Sequence, residues 1–291
     1  MIKTTTYTAF ALVAFAFNSI LCRLALRGGE ADPVGFTAVR LASGAAALAL
    51  ISYLVSKRTG HVSQPAESAA SIGSWRSAIY LFVYAICFSA AYVSLSAGTG
   101  ALILFGSVQM TMIAIAVVRG ERPRIIESLG MVTAFGGLVY LVLPGLESPP
   151  LSGSLLMAAA GGSWGLYTLR GKGAVDPLAL TKDNFVRTLP FALLAGIVFI
   201  PNLQLTFRGI IFAVLSGALA SGVGYTVWYA ALKYHTMTRS AVLQLTVPVI
   251  AASLGIVLLG ETMTPRLLIA ASLILGGISA TIIGAKRAVI R

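Results

Sequence analysis

The chain has 291 residues, of which 57% are hydrophobic and only 10% charged, and it carries a formal net charge of +12. Soluble domains carry about 25% charged residues, so this composition, with a mean hydropathy of +0.90, excludes water as the main solvent. A basic excess of this size suggests nucleic acid in a soluble chain, so the placement of the basic residues has to decide between a polyanion partner and a membrane topology signal.

A membrane-spanning helix needs roughly 20 mostly apolar residues. Ten such stretches follow one another, at 6–26, 33–55, 77–96, 99–118, 125–143, 153–170, 178–200, 208–232, 238–259 and 266–284. The first follows Lys3 closely and ends near Ser19-Ile20-Leu21-Cys22. It exceeds a signal-peptide core of about 7–15 residues, and the bulky Leu21 precedes the cysteine, so it is read as a retained helix. The gap at 57–76, with Gly60, Pro65 and a run of Ser and Ala, is a loop, which leaves no room for a soluble domain. Cys22 and Cys87 fall inside apolar spans and are expected to be free core thiols.

Assigning the gaps alternately to two faces separates the charges. One face holds Lys3, Lys57, Arg58, Arg76, Arg119, Arg122, Arg124, Arg170, Lys172, Lys182, Lys233, Arg239, Lys286, Arg287 and Arg291; the other has only Arg23, Arg27, Arg208 and Arg266. Fifteen against four over short loops is the bias that marks the cytoplasmic side, and it places both termini there in a bacterial-type inner membrane. The base is thus a topology signal, and nucleic acid is excluded as a partner. Arg40 and Arg187 lie inside spans, each about seven residues or roughly 10 Å from an end, and are expected to snorkel to the surface.

The chain also resembles itself at an offset of 140. Gly120-Glu121 returns as Gly260-Glu261, and Gly136-Gly137 as Gly276-Gly277. Asp32-Pro33 and Asp176-Pro177 are a weaker echo, as are Tyr92-Val93-Ser94-Leu95 and Tyr229-Ala230-Ala231-Leu232. These matches predict two repeats, 1–146 and 147–291. Because each holds an odd number of spans, the second enters the membrane from the opposite face. The expected fold is an all-α polytopic membrane protein of ten transmembrane helices, an inverted 5+5 repeat, with a site near the midplane and alternating access between two near-equivalent packings.

Polar and aromatic side chains deep in the spans are the candidate lining: Asn18, Tyr80, Tyr84, Ser89, Gln109, Trp164, Tyr167, Ser221, Tyr225, Trp228 and Gln244. Tyr80/Tyr84 and Ser221/Tyr225 are spaced i,i+4 and Tyr225/Trp228 i,i+3, so each set shares one helix face. Competing structural readings stand beside these. Ser89 and Ser221 can bond to a carbonyl one turn back, Gln109 and Gln244 can join helices, and Tyr80 can belong to an interfacial belt. Gly161-x-x-x-Gly165 and Gly276-x-x-x-Ala280-x-x-x-Gly284 read as close-packing seams. Pro248, inside the ninth span, is a candidate hinge.

Every acidic residue, Glu30, Asp32, Glu67, Glu121, Glu127, Glu147, Asp176, Asp183 and Glu261, falls in a loop or within a turn or two of a span end, and His61 and His235 are in loops. A cation would find no buried counter-charge, and the usual deep proton carrier is absent. The expected solute is therefore small and neutral or zwitterionic, moving downhill or with loose coupling. Gly171-Lys172-Gly173 is not a P-loop, no buried histidine can serve a serine nucleophile, and no His/Cys/carboxylate cluster offers a metal site. The chain reads as no enzyme, with no cofactor, the bilayer and a small solute as its partners, and a monomer sufficient. A channel is the remaining alternative, to be separated by unitary currents.

The ten spans, the Gly-Glu after the fourth and ninth, Trp164-Gly165 and the tract Tyr225-Thr226-Val227-Trp228-Tyr229-Ala230-Ala231-Leu232 resemble the EamA-type branch of the drug/metabolite transporter superfamily, and most nearly its YddG-type amino-acid exporters. Phe15-Ala16 or Phe17-Asn18 stands where the pattern usually has Trp-Gly. The resemblance implies a cavity formed by helices 1, 3, 4, 6, 8 and 9, with helices 5 and 10 as scaffold. It also implies export of small metabolites such as apolar or aromatic amino acids, Met or Thr, or, as the alternative, of drugs or other metabolites.

Overall fold

The computed structural model describes residues 2–59, 73–120, 125–145, 148–171, 174–232, 234 and 243–289. Several expectations lie outside them: most of the 57–76 loop, Glu121 of the repeated dipeptide, both histidines, and 238–242 of the ninth span. The chain folds as helices α1 (Ile2–Arg27), α2 (Pro33–Thr59), α3 (Trp75–Tyr92), α4 (Ala97–Val118), α5 (Ile125–Val142), α6 (Leu151–Gly171), α7 (Pro177–Val198), α8 (207–232), α9 (Thr246–Leu259) and α10 (Pro265–Val289). Among the described residues there is no strand, only an isolated antiparallel bridge between Ala31 and Leu205.

Local chemistry sets the ends. Asp32 accepts hydrogen bonds from the N–H groups of Val34 and Gly35 at the start of α2, and Asp176 from that of Ala179 at the start of α7, which is the physical content of the repeated Asp-Pro. Ser74, Ser96 and Thr206 cap α3, α4 and α8 in the same way. Gly260 closes α9 at φ +63°, a left-handed conformation that a side chain would strain, and Glu261 N–H then bonds back to Gly255 O.

Among the described residues six helices, α1, α2, α4, α5, α8 and α10, are long and apolar enough to cross a membrane, whereas α9 is apolar but only 14 residues long. The other three, α3, α6 and α7, are long enough but more polar. Large apolar side chains point outward from the bundle, among them Leu129, Val132 and Phe135 on α5, Leu193 and Ile197 on α7 and Val257 on α9. In water such a surface would drive association; in a bilayer it is the lipid face.

Successive helices run up and down. One end of the bundle gathers Glu30, Thr206, Gln204 and Asp32, which bond to one another, with the start of α10, where Arg266 donates to Tyr140 O and Leu141 O at the end of α5. At the other end Arg170 of α6 reaches Ser74 and Ser77 of α3. The packing pairs α5 with α10, α2 with α7, α4 with α9, α3 with α6, α1 with α8, α4 with α6 and α1 with α9.

Close approach in these pairs depends on glycine. An added Cβ on Gly161 would meet Leu104 O and Ser107 of α4, and one on Gly165 would meet Thr111. This is the seam expected from their spacing. On α10 the seam is offset by one residue from the expectation: Gly277 lies against Gly130 O and Ala134 of α5, while nothing stands within 4 Å of Gly276. Gly284 packs on Glu127 as expected. Residues 243 and 244 are helical, the run is interrupted at Leu245, and α9 proper starts at Thr246, so Pro248 stands three residues after a break in the helical backbone.

Candidate functional site

Halfway along the bundle, α1, α3, α4, α6, α8 and the residues preceding α9 enclose a cavity of about 30 Å³ lined by Phe15, Asn18, Ser19, Tyr84, Phe88, Leu104, Phe105, Trp164, Ala220, Ser221, Tyr225 and Gln244. That volume is enough for about two waters. The walls are mainly aromatic. Trp164 of α6 stacks on Tyr225 of α8 at 5.1 Å between ring centroids, and packs against Tyr84 of α3 at 4.7 Å and its own neighbour Tyr167 at 5.3 Å. Phe15 of α1 closes the far side against Tyr225 at 5.7 Å and Trp228 at 5.9 Å.

Six of the residues singled out from the sequence, Asn18, Tyr84, Trp164, Ser221, Tyr225 and Gln244, meet in this lining. Tyr167 and Trp228 stand behind it, in contact with the lining rings of Trp164 and Phe15. Ser89 is elsewhere: its hydroxyl donates to Ala85 O at 2.9 Å and accepts from Thr37 at 2.9 Å, a buried bond between α2 and α3. Tyr80 is half-buried against the core, and Gln109 is buried, neither of them among the lining residues.

Phe15, Ser19 and Phe88 were not singled out from the sequence. Phe88 lies one turn beyond Tyr84, a spacing that places both on one face, whereas Phe15 had no spacing signal beyond its nearness to Asn18.

The α8 wall departs from regular helix. Residues Leu215–Val223 form a π-helical segment between two α-helical ones, and it carries Ser216, Ala220 and Ser221. Segments of this kind widen the turn and often mark functional sites. Here it turns Ser216 so that its hydroxyl donates to Asn18 Oδ1 of α1, and it leaves Ser221 Oγ buried without a hydrogen-bond partner among the described residues.

Arg40 corrects an expectation. It does not snorkel: its exposure is 2%, and its Nη2 donates to Tyr84 Oη at 3.0 Å. The guanidinium lies 5.2 Å from the centre of the Tyr84 ring and 4.9 Å from that of Phe88, so it sits directly behind the cavity wall. Arg187 lies with its guanidinium 5.6 Å over the exposed ring of Trp75, at the start of α3, while its Nε is buried with no hydrogen-bond partner among the described residues.

Two further cavities lie on either side along the bundle. A cavity of about 300 Å³ is lined by Arg23, Arg27, Ser94, Ser96, Thr99, Gly260, Glu261 and Thr264 among others. Between it and the midpoint, Arg23 of α1 pairs with Glu261 at 3.4 Å and donates to Tyr92 O and Val93 O at the end of α3. The Glu261 carboxylate also accepts from Ala97 N–H at the start of α4, where the helix dipole favours a negative charge. One ion pair thus ties α1, α3, α4 and the end of α9 together. Toward the opposite end, a cavity of about 160 Å³ is lined by Leu48, Asp176, Pro177, Thr181, Tyr225 and Thr226 among others. Tyr225 is its shared wall with the central cavity.

Known proteins bear on this architecture. A protein of Pseudomonas aeruginosa, uncharacterized, is 50% identical over 95% of this chain and 93% of its own length. The model of the EamA-like transporter family matches residues 151–283. This chain belongs to the EamA-like transporter family. Another relative, from Salmonella typhimurium and named "probable amino-acid metabolite efflux pump", is 29% identical over 69% of this chain and 72% of its own. A crystal structure covering 98% of both chains superposes with a TM-score of 0.64 at 20% identity, a likeness that shows the fold alone. As an EamA-like transporter the chain is a multi-pass membrane protein that handles a small-molecule substrate.

Proposed function

We propose that this chain is a secondary, non-ATP exporter of small neutral or zwitterionic metabolites, amino acids foremost, working by alternating access in a bacterial inner membrane with both termini in the cytoplasm. The observation that carries the reading is the series of three cavities, with the Arg23–Glu261 pair in the wall of the first and Tyr225 shared by the linings of the second and third. A carrier needs a site that opens to one side at a time, and this series supports it: an ion-paired clamp stands on one side of the central cavity and an aromatic wall on the other. The 5+5 reading draws support from the packing. Adding five to each helix number turns the contact of α3 with α6 into that of α8 with α1, and the contact of α4 with α6 into that of α9 with α1. The same operation maps the pairs α2–α7, α4–α9 and α5–α10 onto themselves. Such equivalence is what an inverted repeat requires. The charge bias sets which end is cytoplasmic, and it puts the Arg23–Glu261 pair on the outer side.

The lining favours amino-acid-like solutes. Aromatic faces accept apolar side chains and ammonium groups, while Asn18, Ser221 and Gln244 offer hydrogen bonds. The name of the Salmonella relative agrees with that substrate class. Purified protein in liposomes loaded with unlabelled amino acids, tested one at a time, should drive counterflow of the labelled solute with no pH gradient. Flux that never saturates, with unitary currents, would overturn the carrier reading in favour of a pore, and strict dependence on a proton gradient would overturn the loose coupling.

A further inference from the structure

We propose that Arg40 is the carboxylate anchor of the central cavity, so that the transported solute must carry a free carboxylate; this rests on the transport reading above. Arg40 is a permanent cation with 2% exposure, seven residues into α2. Among the described residues the carboxylates engaged in ion pairs are Glu261, Asp183 and Glu30, none of them with Arg40. Its Nη2 has the Tyr84 hydroxyl as its partner, while its Nη1 is buried and has no hydrogen-bond partner among the described residues. A second unpartnered buried donor, Ser221 Oγ, lines the cavity that Tyr84 and Phe88 separate from the guanidinium.

Arg23 and Arg266 direct their donors to backbone carbonyls at a helix end. Arg187 also has a buried nitrogen, Nε, with no hydrogen-bond partner among the described residues, but its guanidinium stacks on the exposed ring of Trp75 and not behind the cavity wall. Arg40 instead keeps part of its fork unspent, although ionisable groups inside a membrane bundle are costly unless paired. The flat faces of Tyr84 and Phe88 offset some of that cost through cation–π contact, but they leave the Nη1 donors unspent.

The side chain also cannot easily withdraw. The carbonyl of Arg40 lies where a Cβ on Gly217 would stand, 2.0 Å away, so α2 is pressed against the π segment of α8 at this point. The guanidinium fork matches a carboxylate with two parallel N–H bonds. Movement of the Tyr84 ring, which is both cavity wall and Arg40 partner, would expose the fork as the cavity widens to admit a solute. The carboxylate then meets Arg40 and Ser221, and the remainder of the solute lies along Trp164 and Tyr225.

The test compares a transported amino acid with its own amide and with the amine left by removing the carboxyl group, using the full chain in liposomes. Counterflow of the labelled amino acid should be inhibited by the parent compound, and by either derivative at least about tenfold less well, the loss expected for a charged hydrogen-bonded contact. The parent, and not the amide, should raise the melting temperature of the detergent-solubilised protein. Arg40→Gln should shrink the gap between parent and amide to about twofold, and Arg40→Lys should keep part of it. Where Arg40→Gln does not yield monodisperse protein, the wild-type comparison and Arg40→Lys decide.

Equal inhibition by amide and parent overturns the anchor while leaving the exporter reading intact, as does an Arg40→Gln carrier that still discriminates. Absence of counterflow with any solute, together with no thermal shift, overturns the exporter reading and the anchor with it.

Discussion

Glu261→Gln is the sharpest perturbation of the barrier. In the wild type the side chains of Arg23 and Glu261 are 9% and 8% exposed, with Nε and Oε1 3.4 Å apart. Breaking a buried pair by neutralising one member costs about 3–5 kcal/mol when the other is left without acceptors. Here Arg23 keeps the carbonyls of Tyr92 and Val93, at 2.9 and 3.0 Å, and glutamine retains an oxygen for the Ala97 N–H. The expected loss is therefore about 2–3 kcal/mol, closer to one charge-assisted contact. If the pair forms in the outward-closed state alone, the same energy shifts the closed-to-open ratio by roughly 30- to 150-fold, at 1.36 kcal/mol per factor of ten.

The assay is labelling of a cysteine at Ser19, which lines the central cavity beyond the pair, by a membrane-impermeant maleimide added from outside, in protein whose Cys22 and Cys87 are replaced by serine. Glu261→Gln should speed labelling strongly, and Arg23→Gln combined with it should add little more, since both remove one interaction. Labelling rates equal to wild type in Glu261→Gln, with unaltered transport, would refute the barrier role of the pair.

Gly277→Ala should destabilise by about 1–3 kcal/mol through overpacking, because its Cβ would come within 2.5 Å of Gly130 O, while Gly276→Ala, with nothing within 4 Å, should leave the thermal midpoint in detergent unchanged. Trp164→Ala removes the ring that contacts Tyr84, Tyr167 and Tyr225. It should weaken substrate competition in the counterflow assay by tenfold or more, by an order-of-magnitude reading of aromatic contact energies, with Trp164→Phe recovering much of it. Gln244→Ala, at a lining position, should raise the half-saturating substrate concentration, whereas Gln109→Ala, off the lining, should alter thermal stability more than transport.

Much of the helix scaffold was legible in the residues. Apolar length and capping chemistry act locally, so the spans and the Asp-Pro starts of α2 and α7 could be read without knowing any neighbour. Six cavity residues were also found, because a deep hydroxyl, amide or indole in a membrane segment has to face protein. The errors have a common origin. Ser89 satisfies the same rule by bonding Thr37 of α2, Gln109 is buried off the lining, and Gly276 and Gly277 differ by one residue, a rotation of about 100°, which apolarity on both sides of the helix does not resolve.

What the sequence by itself determined is membrane residence, the order of the helices and the charge asymmetry of their connections, since these depend on transfer from water to lipid and on contacts within a few residues. What only the tertiary structure decided is which faces meet. Arg23 and Glu261 are 238 residues apart, Arg40 turns inward to Tyr84 when its distance from the helix end allowed snorkelling, and Ser221 reaches the cavity through a π-helical wall. In lipid, a helix has no polar outer face to orient it. Rotation about the helix axis is settled by glycine contacts and buried hydrogen bonds between distant segments, and these exist only once the bundle has assembled.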